Sequence, residues 1–223
     1  MERLESQELE EGEQNPVVFE ESPFFTCDLP SLTKISFGVA DNMYGKSERS
    51  KYFPEVVVIS PKGKILTRVN PEHLVSDKYG LEYISDCREV KMKLNDDKKV
   101  KISLQRLAKK GRMVLFTVRG EDLRAKPPKE GEFANAWFRL NNEETNQTID
   151  YTKLSSIEKP EGFEEDPPLE EGVDIGEQPR NEIVYLAGRV YVADSGVWVY
   201  ESLNQCMTSD KFEDPIQVIN ELY

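Results

Sequence analysis

The chain has 223 residues, of which 38% are hydrophobic and 32% charged, and its formal net charge is −13. This length fits one large β domain with tails, and the acidity is unlike nucleic-acid binders, whose basic stripe displaces counterions from phosphates. The short basic clusters at 91–93, 98–101 and 106–112 favour a solvated strand face followed by a helix end over a nucleic-acid patch. The cysteines Cys27, Cys87 and Cys206 are odd in number and form no Cys-x-x-Cys pair, which is unlike a disulfide framework or a zinc site and indicates a reducing compartment.

Apolar runs in the sequence are short. The longest, at residues 56–59 and 113–118, fall far below the ~20 residues that a membrane-spanning helix needs. The first residues show no apolar stretch after a basic start, so no secretory signal is expected. We therefore expect a soluble, cytoplasmic protein without a membrane partner.

Residues 1–23 are acidic and hold few apolar side chains. Such a stretch buries too little apolar surface to offset the entropy that is lost on ordering. We expect an extended acidic arm that either stays free or is ordered by a partner. In the second case the candidate anchors are its apolar side chains, Leu4, Leu9, Val17, Val18 and Phe19.

From residue 24 the pattern becomes one of short strands separated by turns. The predicted strands alternate apolar and polar side chains or are rich in β-branched residues, and they lie at residues 32–39, 55–59, 64–69, 89–94 and 100–104. Two turns would join neighbouring strands into hairpins. One is residues 60–63, with proline at its second position, and the other is the acidic turn 95–98.

The second half of the chain predicts one helical turn, at residues 105–110, and further strands. These strands lie at residues 113–118, 133–140, 148–151, 183–192 and 196–203, of which the first is apolar throughout and should be buried on both faces. Residues 158–181 are rich in Pro, Gly and Glu and interrupt the series of strands. A loop of this length is uncommon unless it is functional or mobile. A helix should begin at Asp214 and Pro215, with a buried stripe of Ile216, Ile219 and Leu222.

Together these elements predict an all-β fold, a two-sheet β-sandwich of nine or ten strands with a short C-terminal helix and extended acidic tails. We divide the chain into an acidic arm at 1–23, a sandwich at 24–208 and a C-terminal helix at 209–223. The sandwich would carry an acidic loop insertion at 158–181.

The order of the segments resembles that of the TerD-like (tellurium-resistance) family, whose members fold as β-sandwiches. The resemblance covers about residues 32–205 and is that of a divergent member. It rests on five features in order. These are an early lysine-containing strand (33–39), an acidic turn before a strand that ends in leucine (95–104), a hydrophobic strand (111–118), an aromatic-Arg-Leu strand with a polar turn (136–145) and a closing hairpin (188–200).

Many members of that family bind calcium, so the resemblance implies candidate ligands. The matching positions offer Glu55, Asp86, Asp96 and Asp97, but Lys98 stands where the family has a glutamate. Calcium takes about six to eight oxygen ligands, and these few carboxylates beside lysines fall short of that number. We therefore expect no cofactor. A calcium-binding stress-response protein is the alternative, and a plain acidic turn at 96–97 is the simpler interpretation of that pair.

No pattern in the sequence indicates catalysis. His73 follows Asn70 and Pro71 in an expected surface loop, and no nucleophile is placed beside it as a catalytic triad requires. Glycine-rich phosphate loops are absent from the sequence. The aromatic residues Trp137 and Trp198 are expected in the core, where each buries a large area. We expect a protein that is not an enzyme.

The acidic segments indicate a role in protein binding instead. We expect a structural or adaptor subunit of a larger assembly that docks on basic protein surfaces. In the loop at 158–181, Phe163 and Leu169 are the expected partner-binding residues, as Phe19 is in the arm. A cytoskeletal assembly such as a ciliary axoneme is compatible with these features, although no motif names it.

Overall fold

Twelve β-strands make up most of the chain that is described in a computed structural model. The described residues are 26–29, 34–41, 52–85, 96–107, 113–120, 136–157, 183–208 and Phe212. The strands are β1 (Thr26–Asp28), β2 (Lys34–Asp41), β3 (Tyr52–Ile59), β4 (Ile65–Val69), β5 (Val75–Ser76), β6 (Leu81–Ile84), β7 (Lys98–Ser103), β8 (Met113–Gly120), β9 (Ala136–Asn142), β10 (Gln147–Lys153), β11 (Ile183–Val192) and β12 (Trp198–Thr208). One helical turn, α1 (Leu104–Leu107), and a 3₁₀ turn at Leu154–Ser156 complete the described elements.

The strands form two antiparallel sheets of six strands each. Sheet I has the order β1-β12-β11-β8-β3-β4, and sheet II has the order β10-β9-β2-β7-β6-β5. The first strand of sheet I therefore pairs with the last one, with Cys27 opposite Tyr200. The expected all-β, two-sheet sandwich is confirmed.

The core lies between the two sheets and follows from the alternation of side chains along each strand. Phe37 on β2 stacks on Phe116 of β8 with their ring centroids 5.0 Å apart, which joins the layers. Phe138 and Tyr200 continue this aromatic centre from sheets II and I. All four side chains are at most 1% exposed.

A second apolar cluster lies on the outer face of sheet I. Residues of β3 alternate between the two clusters, so that Val56 and Val58 face the core while Val57 and Ile59 face outward. Strand β8 divides in the same way, and Leu115 belongs to the outer cluster. The stretch 114–118 is therefore buried on both faces, as its continuous apolar sequence predicts.

Most strand predictions agree with the structure, with shifts at the ends. The strand predicted at 196–203 begins only at Trp198 and continues to Thr208. Residues 193–197 close the turn before it, where the N–H of Ala193 donates to the carbonyl of Val197 and the N–H of Gly196 donates to the carbonyl of Ala193. Strands β1, β5 and β6 were not predicted. The arm at 1–23, the strand at 89–94, the loop at 158–181 and, apart from Phe212, the helix at 209–223 lie outside the described residues.

Candidate binding site at the shared edge of the two sheets

Strands β4 and β5 end sheets I and II on the same side of the molecule, and they contact each other. The turn before β4 is set by Ser60, whose Oγ accepts hydrogen bonds from the backbone N–H groups of Lys62 and Lys64 at 3.3 and 3.0 Å. As the last strand of its sheet, β4 pairs on one side with β3 among the described residues. An edge strand of this kind offers backbone groups to a further strand.

The chain passes from one sheet to the other through a short turn after β4. The Oδ1 atom of Asn70 accepts from the backbone N–H groups of Glu72 and His73, each at 3.0 Å. Asn70 and His73 also exchange two backbone hydrogen bonds. Asparagine favours such a turn because its side chain replaces a backbone acceptor. His73 is exposed there, which confirms its expected place in a surface loop.

The exposed large apolar side chains of the described part of the chain all lie at this edge. Ile65, Leu74 and Val75 are 38%, 49% and 56% exposed, respectively. Ile65 begins β4, Val75 begins β5, and Leu74 precedes it. Single exposed apolar residues are ordinary on protein surfaces. All three lie in one stretch of edge backbone, which we call the edge strip. Val75 lines the outer face of sheet II, whereas Ile65 is the register partner of Ile59 on the outer face of sheet I.

A cleft of about 520 Å³ adjoins the edge strip on the outer face of sheet II. Val75 lines it together with an equal number of cations and anions, Lys34, Lys101, Arg106, Asp77, Glu82 and Glu143. Charges of both signs alternate across β6 and β7, where Glu82 is the register partner of Lys101. The charges of the cleft therefore balance, which suits a peptide better than a highly charged small ligand.

Glu143 is a partly buried anion of this cleft. Burial by itself raises the pKa of this carboxyl, but the nearby hydroxyl of Ser36 and the ammonium groups of Lys99 and Lys101 outweigh it, and the pKa lies below its usual range. Nζ of Lys99 is 3.1 Å from Glu143 Oε1. Glu143 is therefore ionised at neutral pH and available as a fixed negative charge at the cleft wall.

The predicted calcium ligand Glu55 lies on the outer face of sheet I, beside Val57. It is 2% exposed. Its Oε2 accepts from Nε of Arg119 at 3.0 Å and from the hydroxyl of Thr117 at 3.3 Å, while Asn70 donates to Oε1. The charge of Glu55 is thus already neutralised by an arginine of the neighbouring strand.

Asp96 lies on the other side of the sandwich, over Gly38 on the outer face of sheet II. A Cβ atom at Gly38 would come within 2.2 Å of Asp96 Cγ, so glycine leaves the room for this carboxyl. Burial raises the pKa of Asp96, and the guanidinium of Arg139, with Nε 2.6 Å from Oδ1, opposes that rise. Because Glu55 and Asp96 face opposite ways, the structure does not bring them to one ion.

The remaining predicted site residues are only partly covered by the described chain. Asp97 is half-buried, and its backbone N–H donates to the carbonyl of Val39 at 2.9 Å, which extends the pairing of β7 with β2. The hairpin predicted through the turn 95–98 is wrong, because β7 pairs with β2 on one side and with β6 on the other. Among the described residues, no group of three or more metal-binding side chains is found. The other predicted metal and partner-binding residues, Asp86, Phe19, Phe163 and Leu169, lie outside the described residues.

A buried polar pair between the sheets was not predicted from the sequence. The hydroxyl of Tyr200 on β12 donates to Oδ2 of Asp150 on β10. Burial raises the pKa of Asp150, although hydrogen bonds from Tyr200 and from the backbone of Tyr151 lower it. A β-bulge between Thr148 and Asp150 turns this carboxyl inward. Neither residue carries a local signal for the pair, because it depends on the register of a bulge.

Of the two tryptophans expected in the core, Trp198 lies there, whereas Trp137 is buried but belongs to neither apolar cluster. Trp198 is 8% exposed and belongs to the core between the sheets. Trp137 is 3% exposed, and its ring centroid is 6.2 Å from that of Tyr151. Cys27 and Cys206 are half-buried free thiols. Burial, with the charges of Asp150 and Asp28, raises the pKa of Cys27 to about 11, so this thiol stays protonated at neutral pH.

Comparison with known proteins gives a likeness of structure only. No family model matches the sequence, and no curated protein sequence does. A crystal structure of a protein of unknown function, SAV2460, is 12% identical, covers 78% of this chain and 92% of its own, and has a TM-score of 0.48. A homologue of telluride resistance protein (TerD), SCO6318 from Streptomyces coelicolor A3(2), is 8% identical, covers 77% and 88%, and has a TM-score of 0.49. No helix in the described residues is long and apolar enough to cross a membrane.

Proposed function

We propose that this chain is a non-catalytic binding module, an adaptor or structural subunit of a larger protein assembly. It docks an extended segment of another protein along the edge strip. The observation that carries the proposal is the exposure of Ile65, Leu74 and Val75 at the side where the two sheets end in β4 and β5. A cytoplasmic and cytoskeletal place of action goes with this role as a prediction from the sequence.

The chemistry of an edge strand favours this mode of binding. An added strand takes hydrogen bonds from the side of β4 that has no partner strand among the described residues, and its side chains contact the edge strip. Each of the three apolar residues is already about half buried, so covering the rest contributes only about 1 kcal/mol per side chain. Such a contact is weak alone, and we expect the acidic segments at 1–23 and 158–181 to strengthen it through a second point of attachment on a basic surface.

The buried carboxylates of the described chain support a structural role. A general acid or base must come within hydrogen-bond reach of a substrate. Here Glu55 is held by Arg119, Asp96 by Arg139, and Glu201 by Arg189 at 2.6 Å. Groups that are buried and bonded in this way stabilise the strands that carry them, since removing one partner would leave the other charge buried and unpaired.

A comparative pull-down from native extract tests the proposal. The bait is the full chain, and the edge variant is Leu74→Asp with Val75→Asp. The control, Thr145→Asp with Gln147→Asp, adds the same two charges at exposed positions of the β9–β10 turn. We expect the control to recover the same partners as the wild type and the edge variant to recover at least about tenfold less, as a loss of about 1.4 kcal/mol requires.

Equal recovery by the edge variant and the control would overturn the edge as the docking site, provided that both variants keep the wild-type circular-dichroism spectrum and melting temperature. A third bait without residues 1–23 separates the two attachments. We expect it to lose partners with basic surfaces while it still binds those that use the edge strip.

A further inference from the structure

The cleft on the outer face of sheet II runs from the edge of the sheet inward across four strands. Its lining comes in order from β5, β6, β7 and β2, with Glu143 at the inner end. All of these lining residues belong to the described chain. The three gaps between the strands amount to about 14 Å, which about four residues of extended chain span. The cleft therefore has the length of a short extended peptide that lies across the sheet.

The basic and the acidic side chains of the cleft lie in different halves. Lys34 and Lys101 belong to the neighbouring strands β2 and β7 in the inner half. Ser103 is the register partner of Lys34 and follows Lys101 on the same face of β7, so its hydroxyl adjoins both lysines. Glu82 on β6 and Asp77 in the turn before β6 form the acidic outer half. The inner half thus suits a carboxylate, and the outer half suits a cation.

Charges in both halves are available to a ligand. Among the described residues, neither Lys34 nor Glu82 forms an ion pair. Glu143, in contrast, is held by the ammonium group of Lys99 at 3.1 Å. A ligand can therefore bind Lys34 and Glu82 without first breaking a contact that stabilises the fold.

Arg106 lies along the floor of the cleft because Gly80 leaves room for it. A Cβ atom at Gly80 would come within 2.8 Å of Arg106 Cδ. Nη1 of Arg106 donates to the backbone carbonyl of Asp77 at 3.4 Å, which places the guanidinium beside this acidic residue. Arg106 therefore offsets the charge of Asp77, and Glu82 is the main acidic group for a ligand.

Val75 offers its backbone at the outer end of the cleft. The N–H of Tyr83 donates to the carbonyl of Leu74 at 2.7 Å, so these two residues are a hydrogen-bonded pair. The next pair, Val75 and Glu82, is then not hydrogen-bonded, because the two kinds of pair alternate in an antiparallel ladder. The N–H and carbonyl of Val75 therefore point away from β6, beside a side chain that is 56% exposed. An incoming peptide meets both polar and apolar groups there.

We infer that the segment docked at the edge strip enters this cleft at Val75 and ends in it, with its C-terminal carboxylate beside Lys34 and Lys101. An apolar side chain of the segment contacts Val75, and the basic side chain that follows it lies beside Glu82. This inference rests on the proposed docking and names the occupant by its chemistry. The occupant is an extended C-terminal peptide with an apolar residue, a basic residue and two further residues in that order.

A free chain end fits the inner half better than a phosphate group does. Glu143 bounds that half, and its backbone N–H donates to the carbonyl of Lys34 at 3.2 Å. A peptide that runs inward therefore reaches its end beside Lys34. A doubly charged phosphate would lie close to the carboxylates of Glu143 and Glu82, and their repulsion is about half as strong for a terminal carboxylate with one charge.

Nuclear magnetic resonance titration of the full chain with the peptide acetyl-Leu-Lys-Ala-Ala tests the inference. We expect saturable shifts of the backbone amide signals of Val75, Gly80 and Ser103. The C-terminal amide of this peptide should bind about threefold to fivefold more weakly, and so should acetyl-Leu-Glu-Ala-Ala, because each change removes an exposed charge pair. Equal affinity for the acid and the amide, equal affinity for the lysine and the glutamate peptides, or no saturable shift would each overturn the inference.

Two exposed lysines on different strands of sheet II give a matched pair of variants. Lys34→Met keeps an apolar chain of similar length and removes the charge at the inner half of the cleft. We expect it to reduce the preference for the acid over the amide to about twofold or less. Lys153→Met, at the end of β10, should keep the wild-type preference. An unchanged preference in Lys34→Met, or the same loss in both variants, would contradict a carboxylate site at Lys34.

Docking at the edge strip and capture of a chain end are tested separately. If the edge variant in the pull-down recovers as much of every partner as the control does, docking at the edge strip is wrong, whatever the peptides do. If the edge variant loses partners while the acid and the amide bind equally, docking stands and the C-terminal occupant is wrong.

Discussion

At the scale of single residues, the cross-sheet pair of Asp150 and Tyr200 links stability to pH. Burial is the largest influence on the pKa of Asp150 and leaves it raised. The folded protein then keeps the proton on Asp150 up to a higher pH than the unfolded chain does. Binding of this proton therefore stabilises the fold fully only below the unfolded pKa of about 3.9. The effect is lost as the pH rises through the folded value.

The variant Asp150→Asn keeps an acceptor for the Tyr200 hydroxyl and removes the titration. We expect its free energy of unfolding to fall less than that of the wild type between about pH 4 and pH 7. Asp150→Ala should be about 1–3 kcal/mol less stable than Asp150→Asn, because it leaves the buried hydroxyl without an acceptor. Urea unfolding at several pH values measures all three proteins, and parallel pH curves for wild type and Asp150→Asn would contradict the raised pKa.

Calcium binding also depends on single residues, namely on whether the predicted carboxylates are free to bind an ion. A site filled at 100 times its Kd would stabilise the fold by about 2.7 kcal/mol. Because Arg119 and Arg139 already neutralise Glu55 and Asp96, we expect calcium at millimolar concentration to leave the melting temperature unchanged. A rise of several degrees that magnesium does not produce, and that Asp96→Asn removes, would instead support the calcium hypothesis.

At the scale of elements, the hairpins that local sequence determines were predicted. The β3–β4 hairpin was predicted because residues 60–63 carry their own turn signal, and β11–β12 because two long apolar strands flank a short polar turn. Strands β1 and β5 have three and two residues, too few for a period to appear. Pairing with a neighbouring strand, and not their own sequences, holds these residues in extended conformation. For β1 that neighbour is β12, which is far away in sequence.

The candidate site was not predictable for a related reason. That β4 and β5 are both terminal strands is a property of sheet order, which no single segment encodes. The faces of Glu55 and Asp96 depend on register as well, since a shift by one residue would reverse each side chain. The sequence could name both carboxylates but not the opposite sides of the sandwich on which they lie.

The β11–β12 turn offers a test of how much one backbone angle contributes to a hairpin. Gly196 has a φ of 81° with no atom within 4 Å of a Cβ placed there, so a substitution meets conformational strain without a clash. We expect Gly196→Ala to lower the free energy of unfolding by about 1 kcal/mol. Gly196→Asn should lose less, because asparagine tolerates this conformation. Chemical denaturation compares the two, and equal losses would contradict this explanation.

At the scale of the whole molecule, strands from distant parts of the chain alternate within sheet I. Strand β11 lies between β12 and β8, with register partners on both sides. A cut in residues 158–181 would therefore divide the chain into two fragments, and the pairing of β8 with β11 would still hold these fragments together. We expect a chain cleaved at a protease site inserted there to elute as one native-sized species in size-exclusion chromatography.

Denaturant should separate the two fragments of that cleaved chain into distinct peaks. The matched control is the same insertion left uncut, which should elute identically in buffer. Fragments that part in buffer without denaturant would be incompatible with the strand order of sheet I.

The pairing of β1 with β12 has a consequence for synthesis on the ribosome. Cys27 emerges long before Tyr200 opposite it, so sheet I stays incomplete until β12 has left the exit tunnel. Contacts of such long sequence separation make folding slow and leave apolar strands exposed in the nascent chain. We therefore expect chaperones that hold unfinished polypeptides to bind this chain until β12 has been translated.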